Sequence, residues 1–123
     1  MKVEVGAPIS SGPGEVLQLD GRRCRSLGAF LHEVGLVLHF PPYYGENWDA
    51  FEECINDLDW WPETAITLVV EHTEQLLADE SPRQLAILVD ILLAESGTQR
   101  ALTLRFDDVS DSRIAKAFAP LLR

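Results

Sequence analysis

The sequence predicts an α/β domain in which a small parallel sheet is packed with helices. Three short segments, EVLQLD at 15–20, AITLVVE at 65–71 and ALTLRF at 101–106, concentrate the β-branched and aliphatic residues that favour strands. The stretches between them carry apolar residues at helical spacing. Strands joined through helices run parallel, because a tight hairpin joins only antiparallel neighbours. The chain has 123 residues, 46% of them hydrophobic, which is one domain's length with enough apolar surface for a core.

Residues 1–14 are rich in Gly, Pro and Ser. They read as an N-terminal arm, flexible or adding a short edge strand at Lys2–Val5, ahead of a single domain over 15–123. The first full strand ends at Asp20-Gly21, a turn signal. Ser26 offers a cap to a first helix, on which Leu27, Phe30, Leu31, Val34 and Leu38 form an apolar stripe. Pro41-Pro42 stops that helix.

Tyr43-Tyr44-Gly45-Glu46 reads as a loop. Asn47 then caps a second helix, with Asp49 favourably placed in its first turn. Trp48, Phe51, Ile55 and Leu58 share one face of this helix; Asp49, Glu52, Glu53, Asn56 and Asp57 share the other. Trp60-Trp61-Pro62 closes it, and the buried strand at 65–71 follows. A short helix is expected at 73–78. Another opens at Ser81-Pro82, carries Leu85, Leu88, Val89, Leu92 and Leu93, and stops at Gly97. The strand at 101–106 and a last helix within 110–122, with Ile114, Phe118 and Leu121 on one side, complete the chain. The expected order is three strands in β-α-α-β-α-α-β with a C-terminal helix.

Charge narrows the function. Twenty Asp and Glu against ten Lys and Arg give a net charge of −10. Such a chain repels nucleic acid phosphates and anionic membranes and is drawn to basic partners. The charges are also segregated: residues 26–82 hold twelve carboxylates and no Lys or Arg. That asymmetry directs the field and so favours fast association with a basic surface. Cys24 and Cys54 are too few for a disulfide scaffold and form no CxxC pair. The N-terminus has no apolar signal region, and no apolar run approaches a membrane span. A soluble cytoplasmic protein with reduced thiols is expected.

Catalytic motifs are absent: there is no GxGxxG, P-loop, GxSxG or HExxH. His32, His39 and His72 come with no further ligands at metal-binding spacing, so neither metal nor cofactor is expected. Cys54 falls near the apolar side of its helix, as a small core residue does. Asp49 and Glu53 stand four residues apart and resemble an acid/base pair in spacing. General acid–base work needs two different environments to push the pKa values apart, which one solvated helix face does not supply. What remains is a surface of acids and aromatics: Tyr43, Tyr44, Asn47, Asp49, Glu52, Glu53, Asn56 and Asp57. Tyrosines beside carboxylates suit protein recognition. On residue types alone an ordinary solvated helix face is the simpler reading.

The segment 42–54, PYYGENWDAFEEC, closely resembles the barstar-like family of intracellular ribonuclease inhibitors. Upstream, LDGRRCRS and the Leu27/Phe30/Val34/Leu38 spacing fit without a gap. The resemblance is strong over about 17–58 and looser beyond, with the arm before 14 and the helix after 108 as extensions. It implies a three-stranded parallel sheet packed with helices, and no catalytic activity. It implies a protein that is monomeric when free and binds one small basic extracellular ribonuclease, of the guanyl-specific microbial group. An acidic side chain would take the place of the RNA phosphate in the enzyme's cleft.

By position, Tyr43 is the loop aromatic, Asn47 the helix cap, Asp49 and Glu53 the principal carboxylates, and Asn56 a polar contact. Glu53 stands where the family pattern has Asp, Glu52 where it has Trp, and Asp57 where it has a Gly whose backbone approaches the enzyme closely. Asp90 and Glu95 are the candidates for an acidic contact from the last long helix. The competing reading is an immunity or adaptor protein that uses the same helix against another basic toxin, such as a DNase, or a non-nuclease partner.

Overall fold

The computed structural model describes residues 2–6, 14–94 and 101–122. Its strands are β1 (Lys2–Val5), β2 (Glu15–Asp20), β3 (Ala65–Glu71) and β4 (Ala101–Phe106). They form one sheet in the order β1-β4-β3-β2, every neighbouring pair parallel. The sheet therefore has four strands, not the expected three. The addition is β1, at the residues where the sequence offered an edge strand as the alternative to a flexible arm; it pairs in register with β4 from Lys2↔Thr103 to Val5↔Phe106. Glu4 and Arg105, register partners on one face, form an ion pair across this ladder. A four-residue strand whose partner lies a hundred residues away leaves too weak a local signal to decide between strand and arm.

The helices are α1 (Leu27–Val37), α2 (Trp48–Asp57), α3 (Pro82–Leu93) and α4 (Ser112–Phe118), the last continued by a 3-10 turn at Ala119–Leu122. The helix expected at 73–78 is reduced to a 3-10 turn at Thr73–Gln75. The expected stop at Gly97 lies outside the described residues.

α1 and α2 connect β2 to β3, and α3 connects β3 to β4. Both connections step across the sheet in one direction, so right-handed crossovers put all three helices on one face. There Leu19, Leu68, Val70, Leu104 and Phe106 of the sheet meet Phe30 and Val34 of α1, Phe51 and Ile55 of α2, and Leu88 and Leu92 of α3. β3 is the central strand of this core; its five inner residues, Ile66 to Val70, are all buried. That explains a continuous apolar run where an alternating one would mark a half-exposed strand. α4 closes one end through Phe118, whose ring stands edge-on to Phe106 at 4.8 Å.

Two ties join the strand exits to the helices. The backbone N–H groups of Leu77 and Asp79 donate to the carbonyls of Cys24 and Arg25, at 2.8 and 3.0 Å. Glu80 accepts from the Leu27 N–H at 2.8 Å, and Arg25 pairs with Asp79. These contacts fix where α1 starts. Asp107, just past β4, accepts from the His72 N–H at 2.8 Å and from the Thr73 hydroxyl at 2.8 Å, so it fastens the exit of β3 to the end of β4.

Candidate functional site

The loop 41–47 and α2 are held from several sides. Ser26 caps α1 by accepting from the Ala29 N–H. At the other end His39 takes a left-handed backbone conformation, φ 55°. The N–H groups of His39 and Phe40 turn back to the carbonyls of Leu36 and Gly35. That reverse-bonded ending satisfies carbonyls the helix would leave open and turns the chain into the loop. His39 also packs its ring against Trp61, centroids 4.8 Å apart.

Tyr44 then turns inward. Its hydroxyl donates to the Leu31 carbonyl at 2.8 Å, and its ring meets Phe40 edge-on at 4.8 Å. The ring also lies against Gly35: a Cβ built there would come within 2.8 Å of it. The glycine is thus what lets the loop sit down on α1. Burial pushes the Tyr44 phenol well above its ordinary pKa. Glu46, at φ 52°, lies 3.1 Å from Nδ1 of His32 on α1, a second point of attachment.

Asn47 caps α2, accepting from the Ala50 N–H at 2.8 Å. The helix is clamped near both ends by tryptophans. Trp48 Nε1 donates to the Gln84 side chain of α3 at 2.9 Å, and Trp60 Nε1 donates to the Leu38 carbonyl at the end of α1 at 3.1 Å. Between them Phe51, Cys54 and Ile55 are buried. Leu58 ends the helix with a left-handed φ of 54° and an N–H bond back to the Cys54 carbonyl. A residue with a Cβ held there is constrained by its surroundings; Leu58 is fully buried. Burial pushes the Cys54 thiol up, with Glu53 and Asp57 adding to it, so it stays protonated and unreactive.

The outer surface of this platform carries the predicted residues. Tyr43 is 75% exposed, the most open large apolar side chain among the described residues. It lines one shallow depression with Glu53, Cys54 and Asp57. Local desolvation raises the Tyr43 phenol above its ordinary pKa, and the carboxylates of Asp57, Asp59 and Glu53 add to the shift. Asp49 and Glu53 are exposed, while Glu52, Asn56 and Asp57 are half-buried. None of Asp49, Glu52, Glu53 and Asp57 is in an ion pair among the described residues. The structure thus brings Tyr43, Glu53 and Asp57 together. Asn47 is placed as the cap and Tyr44 as the anchor of the loop.

Asp90 falls elsewhere, in a groove between α3 and α4 with Arg113 and Lys116. Glu95 lies outside the described residues. Sequence reading missed Glu46, His32, Gln84 and Gly35 as supports; nothing in their spacing signals them. Among the described residues no group of three or more His, Cys, Asp or Glu is arranged to hold a metal ion. No helix there is long and apolar enough to cross a membrane.

Compared with known families, residues 14–110 match the family model described as Barstar (barnase inhibitor). The chain belongs to the barstar family. The match begins just before β2 and ends past β4, so it takes in α1, the loop, α2 and α3 and leaves out β1 and α4. No curated protein matches the chain. Membership of a family described as barnase inhibitors suggests a protein inhibitor of a ribonuclease.

Proposed function

We propose that this chain inhibits a small guanyl-specific microbial ribonuclease, binding it 1:1 through the loop 41–47 and the outer face of α2. The observation that carries the reading is a rigid helix presenting four carboxylates that nothing in the described structure neutralises, next to the exposed ring of Tyr43. A nuclease cleft that binds the phosphates of RNA is lined with cations. Glu53, at the centre of the cluster, takes the place of a phosphate there and excludes substrate by occupying its site. Asp49, one turn earlier, and Asp57, one turn later, extend the negative surface along the helix. Glu52 and Asn56 border it, and Tyr43 supplies apolar contact at the edge.

The clamped helix matters for affinity. Carboxylates on a mobile segment lose freedom on binding; here Trp48, Trp60, Asn47 and Tyr44 already fix the platform. Glu53 reaches one methylene farther than the family's Asp. The target is therefore an enzyme with a deeper or shifted phosphate pocket than the one that Asp fits. A cell that exports such an enzyme needs its inhibitor inside, which fits a cytoplasmic location, as does protection against a toxin delivered by a neighbour.

The test is a titration of this protein into a panel of small guanyl-specific ribonucleases, reading RNA cleavage at low and moderate salt. Stoichiometric inhibition of at least one enzyme, weakened by salt, is expected. Absence of inhibition across the panel would overturn the ribonuclease target and favour another basic partner, such as a DNase toxin.

A further inference from the structure

β1 is attached to the domain differently from every other strand. It lies at the edge of the sheet farthest from β2, the strand that follows it in the chain. None of its residues is fully buried; only Val3 and Glu4 are half-covered. Among the described residues its hold on the sheet includes the four-residue ladder to β4, the Gly6 N–H bond to the Phe106 carbonyl, the Glu4–Arg105 pair, the packing of Val3 against the core and contact with the 3-10 turn after α4. The family match leaves it out. Segments with few buried contacts open at low free-energy cost.

The registers bound the path that the chain must cover. Val5 is level with Phe106, Val70 and Leu19, whereas β2 starts four residues lower at Glu15. Three inter-strand steps and that rise put Val5 and Glu15 roughly 20 Å apart. The chain between them, of Gly-, Pro- and Ser-rich composition, spans at most ~35 Å when extended. The tether therefore has length to spare.

From these observations we infer that the outer edge of β4 is a strand-docking site. β1 fills it within one chain, and the β1 of a second copy fills it in an exchanged dimer. When β1 leaves, the backbone groups on that edge of β4 lose their partners, and a free parallel edge demands another strand. The strand that fits is the one already selected for it. KVEV of another copy brings the same ladder, the same Val3 contact and the same glutamate for Arg105. Exchange thus trades identical contacts. What opposes it is the lost tether, whose effective concentration is on the order of millimolar, and the repulsion of two chains of charge −10. The dimer is accordingly favoured by concentration and by salt. Neither the loop 41–47 nor α2 takes part, so the exchange stands whether or not the chain inhibits a nuclease.

The experiment mixes two full-length variants, Glu4→Cys and Arg105→Cys, in a thiol–disulfide buffer. These positions face each other in the parallel ladder, within disulfide reach. The native Cys24 and Cys54 are buried and do not compete. A mixture of Glu4→Cys with Asp57→Cys chains measures chance collision. The expected result is an interchain 4–105 disulfide at a rate roughly tenfold or more above that control, rising with concentration and salt. Sedimentation of the unmodified chain up to about millimolar concentration should show a dimer fraction that grows in salt. A single monomeric species across that range, or interchain crosslinking no faster than the control, would overturn the inference.

Discussion

In the proposed complex Glu53 is the residue on which binding turns, because its extra methylene would call for a deeper or shifted phosphate pocket in the partner. Against whichever ribonuclease the proposed titration shows to be its target, Glu53→Ala is expected to cost more than about 1 kcal/mol of binding, a fivefold or larger rise in the inhibition constant. A smaller loss in an inhibition titration would remove Glu53 from the hot spot. The two tyrosines should separate cleanly. Tyr44→Phe removes the hydroxyl's hydrogen bond to the Leu31 carbonyl, so denaturant unfolding should show a loss of about 1 kcal/mol. Tyr43→Ala, at a side chain 75% exposed, should leave stability nearly unchanged and weaken inhibition. Asp107 supplies a pH dependence of definite sign. Burial alone would raise its pKa, but the Thr73 hydroxyl and the N–H groups of His72, Thr73 and Asp108 outweigh burial and hold it below 3.8. A carboxylate depressed in the folded state stabilises the fold above its unfolded pKa and loses that contribution as pH falls through the folded one. Acid titration of Asp107→Asn should therefore show a shallower fall in stability below about pH 4 than the parent, and a parallel fall would contradict this role.

The helix α2 works as an element because its start is fixed. Asn47→Ala removes the cap on the Ala50 N–H and should lower stability by about 1 kcal/mol, with Asn47→Ser recovering most of it in the same unfolding measurement. Capping is also where the sequence was most readable. Ser26 and Asn47 stand one residue before the observed helices, and the strands at 15–20, 65–71 and 101–106 have the expected bounds, because caps and β-branched runs act through near neighbours. β1 was readable only as one of two alternatives, an edge strand at Lys2–Val5 or a flexible arm: its stability comes from β4, and only the folded chain puts KVEV beside ALTLRF. The inward turn of Tyr44 was hidden for a related reason. No periodicity governs side-chain direction in a loop; Gly35, nine residues earlier on another element, makes the room. Asp90 shows the limit on helices, since period places it on a face of α3 without saying which neighbour that face meets.

At the scale of the whole molecule the segregation of charge acquires a spatial meaning. The stretch 26–82, free of Lys and Arg, supplies α1, the loop, α2 and β3, so the carboxylates of α2 face outward with no cation of their own segment beside them. Of the cations that follow, Arg105 pairs with Glu4 on β1, and Arg113 donates to the carbonyls of Glu74 and Leu76. The carboxylates of α2 are in no ion pair among the described residues, and their field acts before contact. A basic cleft approaching this face is steered over a distance of about one Debye length, ~10 Å at 0.1 M salt. Raising salt should slow association roughly in proportion to the screened charge while leaving dissociation, set by the close contacts, much less changed. Stopped-flow association at a series of salt concentrations measures this directly. Asp49→Asn should flatten the salt dependence of the association rate, whereas Asp111→Asn, at the cap of α4 outside the acidic stretch, should leave it nearly as steep. Equal flattening by both substitutions would mean that net charge alone, and not the placement of the carboxylates on α2, speeds the encounter.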